Sequence, residues 1–212
     1  MTTQVSVSTN VIWHHATVTR ASRELQNNHR GAVLWFTGLS GSVKSTLAHA
    51  VEGYLHDHCC HTFVLDGDNL RHGLCGDVGF LADDRQENIR RIGEVAKLFM
   101  EAGIIVITAF ISPYSADRLR VRELVEQADF IEIYCNASLE VCENRDVKGM
   151  YKKARTGEVL EFTGISAPYE VPIKPELIVN TGDASLDDCL KLVIGEIMSR
   201  GICCFNNASV TL

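Results

Sequence analysis

The chain has 212 residues, of which 46% are hydrophobic and 22% charged, a composition that suits one α/β domain with a sizeable core. Its formal net charge of −7 argues against a general binder of nucleic acid or of anionic membranes. No apolar run approaches the length of a membrane span, and the first residues lack the layout of a signal peptide. We therefore expect a cytoplasmic protein with neither nucleic acid nor membrane as a partner.

The eight cysteines include two adjacent pairs and no C-x-x-C spacing. In a chain without a secretory signal, this usage predicts reduced thiols rather than a disulfide framework. A zinc site deserves consideration only in one stretch, which holds His56, His58, Cys59, Cys60 and His61. Adjacent cysteines at a helix-to-strand crossing suit tetrahedral coordination poorly, so we do not predict zinc there.

The order of apolar patterns along the chain predicts a mostly parallel sheet covered by helices on both faces. The predicted helices cover residues 22–28, 45–57, 84–102, 115–127, 138–144 and 185–200, and the predicted strands are Val33–Phe36, Thr62–Leu65, Ile104–Ala109, Phe130–Tyr134 and Leu177–Val179. Residues 1–30 form a polar lead-in, residues 31–202 one α/β domain, and residues 203–212 a tail that is expected to fray.

A glycine-rich turn links the first predicted strand to the helix that follows it. It consists of Gly38, Leu39, Ser40, Gly41, Ser42, Val43, Lys44, Ser45 and Thr46, one residue away from the G-x-x-x-x-G-K-[ST] pattern. In that pattern, backbone N–H groups and the helix dipole hold phosphates, the lysine reaches the β- and γ-phosphates, and the hydroxyl binds Mg²⁺. The alternative is a Gly/Ser-rich turn that binds nothing, and the strand and helix flanks argue against it.

Val43 stands where the pattern requires glycine. A β-branched residue resists positive φ and places two methyl groups where the backbone must approach a phosphate. The sequence therefore predicts a nucleotide-dependent phosphotransferase whose loop is altered.

The second predicted strand ends in Asp66-Gly67-Asp68-Asn69. Ligands of open parallel sheets bind at the carboxyl ends of the strands, where two carboxylates can hold Mg²⁺ and orient a substrate hydroxyl. The sequence Asp-Gly suits a simple turn equally well, and the pattern alone does not separate the two interpretations.

Three further polar residues lie before the helix predicted over residues 84–102 or in its first turns. Arg71 follows the aspartates, and Arg85 and Asn88 stand three residues apart, so they share one face at the N-terminal end of the helix. A guanidinium and an amide there could grip an anionic, nucleotide-like substrate. A solvated charged helix is the simpler interpretation of these residues on their own.

The remaining candidates lie after the third and fourth predicted strands. Pro113 ends the third strand, so Ser112 is expected to be exposed at the same edge of the sheet. The segment 145–155 concentrates positive charge in an acidic chain, as a mobile lid over phosphates or a plain surface helix would. Phe162 offers an aromatic ring that could stack on a base.

Six segments in order resemble the adenylylsulfate kinase (APS kinase) family, and the lead-in 10–15 is similar to its stand-alone bacterial members. The segments are Gly38–Thr46, Leu65–Leu74, Glu87–Ala96, Phe110–Tyr114, Asp146–Arg155 and Phe162–Ile165, within a resemblance from about Asn10 to Ile202. The resemblance implies a P-loop kinase fold and transfer of the γ-phosphoryl of ATP to the 3′-hydroxyl of adenosine 5′-phosphosulfate (APS), a step of sulfate assimilation. The products are 3′-phosphoadenosine 5′-phosphosulfate and ADP, and Mg²⁺ accompanies ATP.

The resemblance also assigns roles to residues. It implies catalytic roles for Lys44, Asp66 and Ser112, metal binding by Ser45 and Asp66, and ATP binding by Arg145 and the loop 38–46. It implies acceptor contacts from Asp68, Arg71, Phe80, Arg85, Asn88, Ile111, Ser112, Lys148 and Phe162. Phe80 and Phe162 match aromatics that clamp the acceptor adenine, and Lys148 would close over the phosphates. Ser112 aligns with a serine described in some members as a phosphorylated intermediate, which direct in-line transfer does not require. We also expect a homodimer.

Two other functions stay open at this point. Another small P-loop kinase, acting on a sugar acid or a nucleoside, would not require the Phe80 and Phe162 clamp or the pair Arg85 and Asn88. A non-catalytic nucleotide-binding homologue is suggested by Val43 alone. An acceptor screen separates the first from an APS kinase, and ligand-dependent thermal shifts separate the second.

Overall fold

The structure is a computed structural model that describes residue 12 and residues 14–204, and it confirms the predicted α/β fold. The strands are β1 (Ala32–Thr37), β2 (Thr62–Asp66), β3 (Ile105–Ala109), β4 (Phe130–Cys135) and β5 (Leu177–Val179). The helices are α1 (Arg20–Asn27), α2 (Lys44–Asp57), α3 (Gly67–Leu70), α4 (Ala82–Glu101), α5 (Ser115–Arg122), α6 (Leu139–Arg145), α7 (Met150–Arg155) and α8 (Leu186–Ser199). The five strands form one parallel sheet in the order β2-β3-β1-β4-β5.

The sheet is buried on both faces because β1 alternates its side chains between two cores. Leu34 and Phe36 pack on one face with apolar residues of α2 and α8. Val33 and Trp35 pack on the other face with α4 and with Val121 of α5. This double burial explains why the strands read as continuous apolar runs rather than alternating ones.

The register of the strands places the candidate groups at one edge. Asp66 at the end of β2 and Phe36 near the end of β1 both pair with Ala109 at the end of β3. The glycine-rich loop, the aspartates after β2 and the segment 110–114 therefore leave the sheet at the same level, as expected at the carboxyl edge of a parallel sheet.

Several predicted boundaries differ from the observed ones for reasons of tertiary contact. The helix predicted over residues 115–127 ends at Arg122, and the chain turns so that buried Asp129 pairs with Arg20 and Arg30. The segment after β2 is the short helix α3, and the Asp66 side chain caps it by accepting from the Asp68 N–H. Helix α4 ends as predicted near Gly103, where φ is +80°.

The end of the described chain packs against the rest of the domain. Cys203 is 2% exposed and forms an antiparallel bridge with His29, so the packed part extends one residue beyond the predicted domain end. Residues 205–212 of the predicted tail, and residues 1–11 and 13 of the lead-in, lie outside the described residues. All eight cysteines lie within the described residues and are free thiols.

Two further findings concern the described part of the chain alone. None of its helices combines the length and the apolar content that crossing a bilayer requires. Within the same range, no group of three or more His, Cys, Asp and Glu side chains is arranged to hold a metal ion, and this includes the histidines and cysteines at 56–61.

Candidate active site

The loop Gly38–Thr46, called the P-loop below, joins β1 to α2 with the expected geometry. The chain turns through Gly38 and Gly41, both at positive φ, and α2 begins at Lys44. The Lys44 ammonium folds back over the loop and donates to the Leu39 carbonyl at 2.6 Å. The backbone N–H groups of the first turn of α2 thus face the sheet edge, the arrangement that binds phosphate.

Lys44 is buried, with 8% of its surface exposed, and this burial lowers the pKa of its ammonium to about 8. The nearby carboxylates of Asp66 and Asp68 act in the opposite direction and favour the charged form. A phosphate bound in the P-loop would favour the charged form further. An anionic ligand would therefore stabilise the charged form of the buried Lys44 ammonium.

Val43 adopts the left-handed backbone that the motif reserves for glycine. Its φ is 65° and its ψ is 14°, directly before the first residue of α2. A residue other than glycine in this region carries strain of about 1–3 kcal/mol, and branching at Cβ adds to the crowding. The fold therefore imposes the motif's geometry on a residue that is poorly suited to it.

Ser45 and Asp66 bring two oxygen ligands together beside the P-loop. The Ser45 hydroxyl donates to Asp66 Oδ2 at 2.6 Å, while Asp66 Oδ1 accepts from the Asp68 backbone N–H at 3.0 Å. A hydroxyl and a carboxylate at this spacing fit the oxygen ligands that Mg²⁺ prefers, with phosphate oxygens and water completing its shell. Thr46 lies exposed in the same turn of α2.

Two side chains of the segment 145–155 contact the P-loop, which a plain surface helix would not do. Arg145 donates to the carbonyls of Thr181 and Gly182 and to Gly41 of the P-loop. Tyr151, 1% exposed, donates to the Ser40 carbonyl at 2.8 Å. The segment is thus more than a plain surface helix, because Tyr151 and Arg145 contact the P-loop, and the mobile lid stays a prediction.

Lys148 is the cation of this segment that reaches across the site. It precedes α7 and forms an ion pair with Asp68 in the turn after β2. Both side chains are about two-thirds exposed, at 65% and 67%. The ammonium therefore lies on the same side as Asp66 and can exchange its partner for a ligand phosphate.

The acceptor side is built from two arginines and an exposed ring. The Arg71 guanidinium lies 4.0 Å from the centroid of the Phe80 ring and donates to the Val78 carbonyl. Arg85 donates to the Phe80 carbonyl at 2.8 Å and to Thr163 Oγ1 at 2.8 Å. Phe80 keeps 61% of its surface exposed, so Arg85 fixes the turn around an aromatic ring that is open to a ligand.

Phe162 and Asn88 are both buried on this side. Phe162 is 9% exposed and meets the Tyr151 ring edge-on, with centroids 4.9 Å apart. Because Arg85 bonds to Glu161 and Thr163 on either side of Phe162, it joins the segments that carry the two predicted clamp residues. Asn88 is 6% exposed, and its Oδ1 has no hydrogen-bond partner among the described residues. A buried acceptor in this state needs a donor, which water or a ligand can supply.

Ser112 is buried, with 2% exposure, and the prediction that it is exposed at the sheet edge is wrong. Its hydroxyl accepts from Trp35 Nε1 at 3.2 Å and donates to Thr37 Oγ1 at 2.9 Å. Thr37 in turn donates to the Ile111 carbonyl at 2.8 Å. β3 already ends at Ala109, before Pro113, and Trp35 and Thr37 engage the hydroxyl of Ser112.

Sequence reasoning missed the residues that hold this corner of the site. They are Trp35, Thr37, Arg118 and Glu170, which share hydrogen bonds with the segment 111–115, and Tyr169, which bonds to Thr37. Trp35 and Thr37 looked like ordinary strand residues, and Arg118 like one charge on a surface helix. Only their long-range contacts reveal them, and no local pattern carries that information.

An open cleft of about 660 Å³ lies beside the P-loop, but it is not where phosphate chemistry fits. It runs between the exit of β4 and the loop 164–171, and Leu39, Tyr134 and Tyr169 are among its lining residues. None of the lining side chains carries a charge, so this cleft cannot neutralise a transferring phosphoryl group. The cations and carboxylates are on the Lys44 and Asp66 side.

Comparisons with known proteins agree with this geometry. The family profile described as Adenylylsulphate kinase matches residues 30–180. An adenylyl-sulfate kinase of Acaryochloris marina is 67% identical over 195 residues, which cover 92% of this chain and 95% of the relative. An APS kinase of Mycobacterium tuberculosis, solved in complex with AMPPNP and APS, superposes with a TM-score of 0.77 at 45% identity, over 80% of this chain and 99% of that one.

A third relative is a hexameric APS kinase from Thiobacillus denitrificans. It is 30% identical with a TM-score of 0.64, over 87% of this chain and 32% of that longer chain. The profile match alone spans more than half of the sequence, and the relatives cover the same region at high identity. The chain belongs to the adenylylsulfate kinase family.

Proposed function

We propose that this protein transfers the γ-phosphoryl group of ATP to the 3′-hydroxyl of adenosine 5′-phosphosulfate. The observation that carries the proposal is the convergence of Lys44, Ser45 and Asp66 at the edge of the sheet that also presents Arg71 and Phe80. The first three suit a triphosphate and its metal, and the last two suit an anionic nucleotide. Family membership supplies the identity of the acceptor.

The ATP side rests on the P-loop. The backbone N–H groups of the P-loop surround the β- and γ-phosphates, and Lys44 adds its positive charge. The loop residues are Gly38, Leu39, Ser40, Gly41, Ser42, Val43, Lys44, Ser45 and Thr46. Arg145, bonded to Gly41 and to the Thr181–Gly182 turn, lies against the adenine of ATP. Ser45 and Asp66 would hold Mg²⁺, and the bound ion would neutralise charge on the phosphate oxygens.

The acceptor side places the attacking oxygen. Arg71, Arg85 and the N–H₂ group of Asn88 bind the phosphosulfate, and Phe80 and Phe162 hold the adenine, while Asp68, Ile111 and Ser112 complete the pocket. Lys148 leaves Asp68 and contacts the phosphates as both nucleotides bind. This exchange costs little because the Asp68 pair is exposed to water.

The chemical step is a direct in-line displacement. The acceptor 3′-oxygen forms a bond to the γ-phosphorus as the bond to the β,γ-bridging oxygen breaks, and ADP leaves. The Asp66 carboxylate orients the nucleophile and accepts the hydroxyl proton. Ser112 is not needed as a phosphorylated intermediate, because its hydroxyl is buried and engaged by Trp35 and Thr37.

The decisive experiment identifies the product. Protein, ATP·Mg²⁺ and adenosine 5′-phosphosulfate are incubated, and the nucleotides are analysed by mass spectrometry and phosphorus NMR. The proposal predicts ADP and an acceptor with one added phosphate on the 3′-oxygen. A phosphate on another atom, or an unchanged acceptor at full enzyme concentration, contradicts the proposal.

Membership of this family argues against a kinase for sugar acids or nucleosides. The preserved Ser45–Asp66 contact and the Lys44 geometry argue against a non-catalytic homologue. The expected homodimer stays a prediction, which light scattering of the purified protein checks. The proposed cytoplasmic location agrees with eight free thiols, since a reducing compartment keeps cysteines in that state.

A further inference from the structure

Arg118 is a buried cation with three acceptors on three different segments. It belongs to α5 and is 3% exposed. Its guanidinium donates to the Ser112 carbonyl, to the Glu170 carbonyl and to Glu132 Oε1, each at 2.7 Å. The planar guanidinium carries five N–H donors in fixed directions, so one side chain can hold all three acceptors at once.

Charge compensation alone does not account for this arrangement. A buried guanidinium needs a carboxylate, and Glu132 supplies it. Glu132 also accepts from Arg122, which is paired with Glu176 as well. The contacts that remain to be explained are the two backbone carbonyls, and both belong to segments that flank the acceptor side of the site.

The first carbonyl belongs to a strained residue. Ser112 has φ of +39°, a conformation that persists in a residue other than glycine only when its surroundings hold it. Arg118 holds its carbonyl, while Trp35 and Thr37 hold its hydroxyl. The turn at Ile111 and Ser112 is therefore fixed from both sides.

The second carbonyl ties this turn to the loop that follows Phe162. Glu170 accepts from Arg118 through its carbonyl, donates its N–H to the Pro113 carbonyl at 2.8 Å and accepts from the Ser115 N–H at 2.7 Å. Tyr169, its neighbour, contacts Thr37 Oγ1 at 3.0 Å. Arg118 thus sits at the junction between the segment 111–115 and the loop 162–170.

We propose that Arg118 is a positioning residue for the acceptor nucleotide, an inference that rests on the proposed function. It fixes the Ile111–Ser112 turn against the loop that carries Phe162, and so sets the width of the acceptor pocket. Among the described residues, its hydrogen bonds reach Ser112 after β3, Glu132 within β4 and Glu170, and none reaches the P-loop. Loss of the junction therefore affects acceptor binding and leaves ATP binding in place.

The test is Arg118→Lys, which keeps the charge beside Glu132 but cannot span both carbonyls. Arg120→Lys is the matched control, because Arg120 lies on the same helix with a side chain that is 52% exposed. The Kd of adenosine 5′-phosphosulfate is measured by calorimetry without ATP, and the KM of each nucleotide by ADP release. We expect Arg118→Lys to raise the acceptor Kd and KM on the order of tenfold, with the KM of ATP within about twofold, and Arg120→Lys to change neither.

Each result bears on the inference. Equal losses for both nucleotides, or a lower Tm with unchanged acceptor affinity, make Arg118 merely structural and overturn it. Failure of the unsubstituted protein to bind the acceptor overturns the proposed function as well, so the two failures are distinguishable. If Arg118→Lys does not fold, Glu170→Ala removes the carboxylate that accepts from the Ser115 N–H and so loosens the same junction without touching the buried charge. A loss confined to the acceptor then supports the inference, and no loss or an equal loss overturns it.

Discussion

At the scale of single residues, Val43 shows how the fold overrides a local preference. The position before α2 is left-handed whether or not glycine occupies it, because the strand, the helix and the Lys44 contact with Leu39 fix the loop. The strain of about 1–3 kcal/mol is present before any nucleotide binds. A phosphate bound tightly in this loop prevents the backbone from relaxing, so the strain at Val43 is not relieved on binding.

Val43→Gly is expected to raise kcat/KM for ATP at least roughly tenfold, equivalent to about 1.4 kcal/mol. Removing the side chain opens the backbone to the β-phosphate, while the acceptor residues are untouched; the strain is shared by the free protein, so its relief raises folding stability rather than ATP affinity. Steady-state kinetics at varied ATP measure the change. Val43→Ala is the control, because it removes the branching but keeps Cβ, and it should fall between the two. Equal activity of the valine and glycine forms would show that the loop accommodates phosphate in another geometry.

Asp66→Asn isolates the charge of this residue. Asparagine keeps the Oδ1 acceptor that caps α3, so the fold is retained, but the carboxylate that faces Ser45 is lost. We expect kcat to fall by on the order of a hundredfold or more, as in the loss of other preorganised charges. ADP release is measured beside Asp77→Asn, a surface aspartate paired with Arg91. Activity within a few-fold of the parent would remove Asp66 from the catalytic group.

Lys44 makes ATP binding depend on pH in a defined direction. Its pKa of about 8 in the free protein rises when phosphate binds, so binding above pH 8 takes up a proton. ATP affinity is expected to be flat below this pH and to fall by up to roughly tenfold per pH unit above it. Calorimetry at pH 9 in two buffers of different ionisation enthalpy measures the uptake. Absence of proton uptake at pH 9 would contradict the buried, titrating lysine.

At the scale of elements, the two aromatic residues of the predicted clamp differ in kind. Phe80 is exposed in the turn before α4, whereas Phe162 is part of a small core with Tyr151 and Ala154. Phe162→Ala would therefore lower the free energy of unfolding by about 3–5 kcal/mol, the usual cost of a buried Phe→Ala substitution. A loss of nucleotide affinity in that variant could come from unfolding as well as from a lost contact. Phe80 gives the cleaner test.

Phe80→Ala is expected to weaken adenosine 5′-phosphosulfate by about 1–3 kcal/mol, the usual value of one base stacked on an aromatic ring. ATP affinity and Tm should stay unchanged, because the ring lies outside the core clusters. Calorimetric titration with each nucleotide measures both affinities. Exposed Leu98 on α4 provides the control substitution Leu98→Ala. Parallel losses for the two nucleotides would remove Phe80 from the acceptor pocket.

The elements also show where sequence patterns stop being informative. Helix α4 was predictable because its apolar residues repeat at three- and four-residue spacing, and its end because Gly103 takes positive φ. Helix α5 was predicted too long, since its end depends on Asp129 pairing with Arg20, which lies 109 residues away. Helix α7 was ambiguous because burial of Tyr151 depends on the P-loop carbonyl of Ser40.

At the scale of the whole molecule, the sequence predicts the sheet and the ATP half of the site better than the acceptor half. Strands buried on both faces read as apolar runs, and the P-loop is one contiguous segment with its own mechanism. The acceptor half is assembled from segments some 50 to 80 residues apart, such as Arg85 with Thr163 and Arg118 with Glu170. Burial of Ser112 follows from that assembly, and Pro113 alone could not indicate it.

The most direct test of the central claim is acceptor-dependent ADP release. A coupled assay measures it for the unsubstituted chain and for Val43→Gly. The account predicts ADP formation that requires adenosine 5′-phosphosulfate, proceeds with one ADP per acceptor phosphorylated, and is at least roughly tenfold more efficient in ATP for the glycine form. No ADP above an ATP-only blank for either form would contradict it.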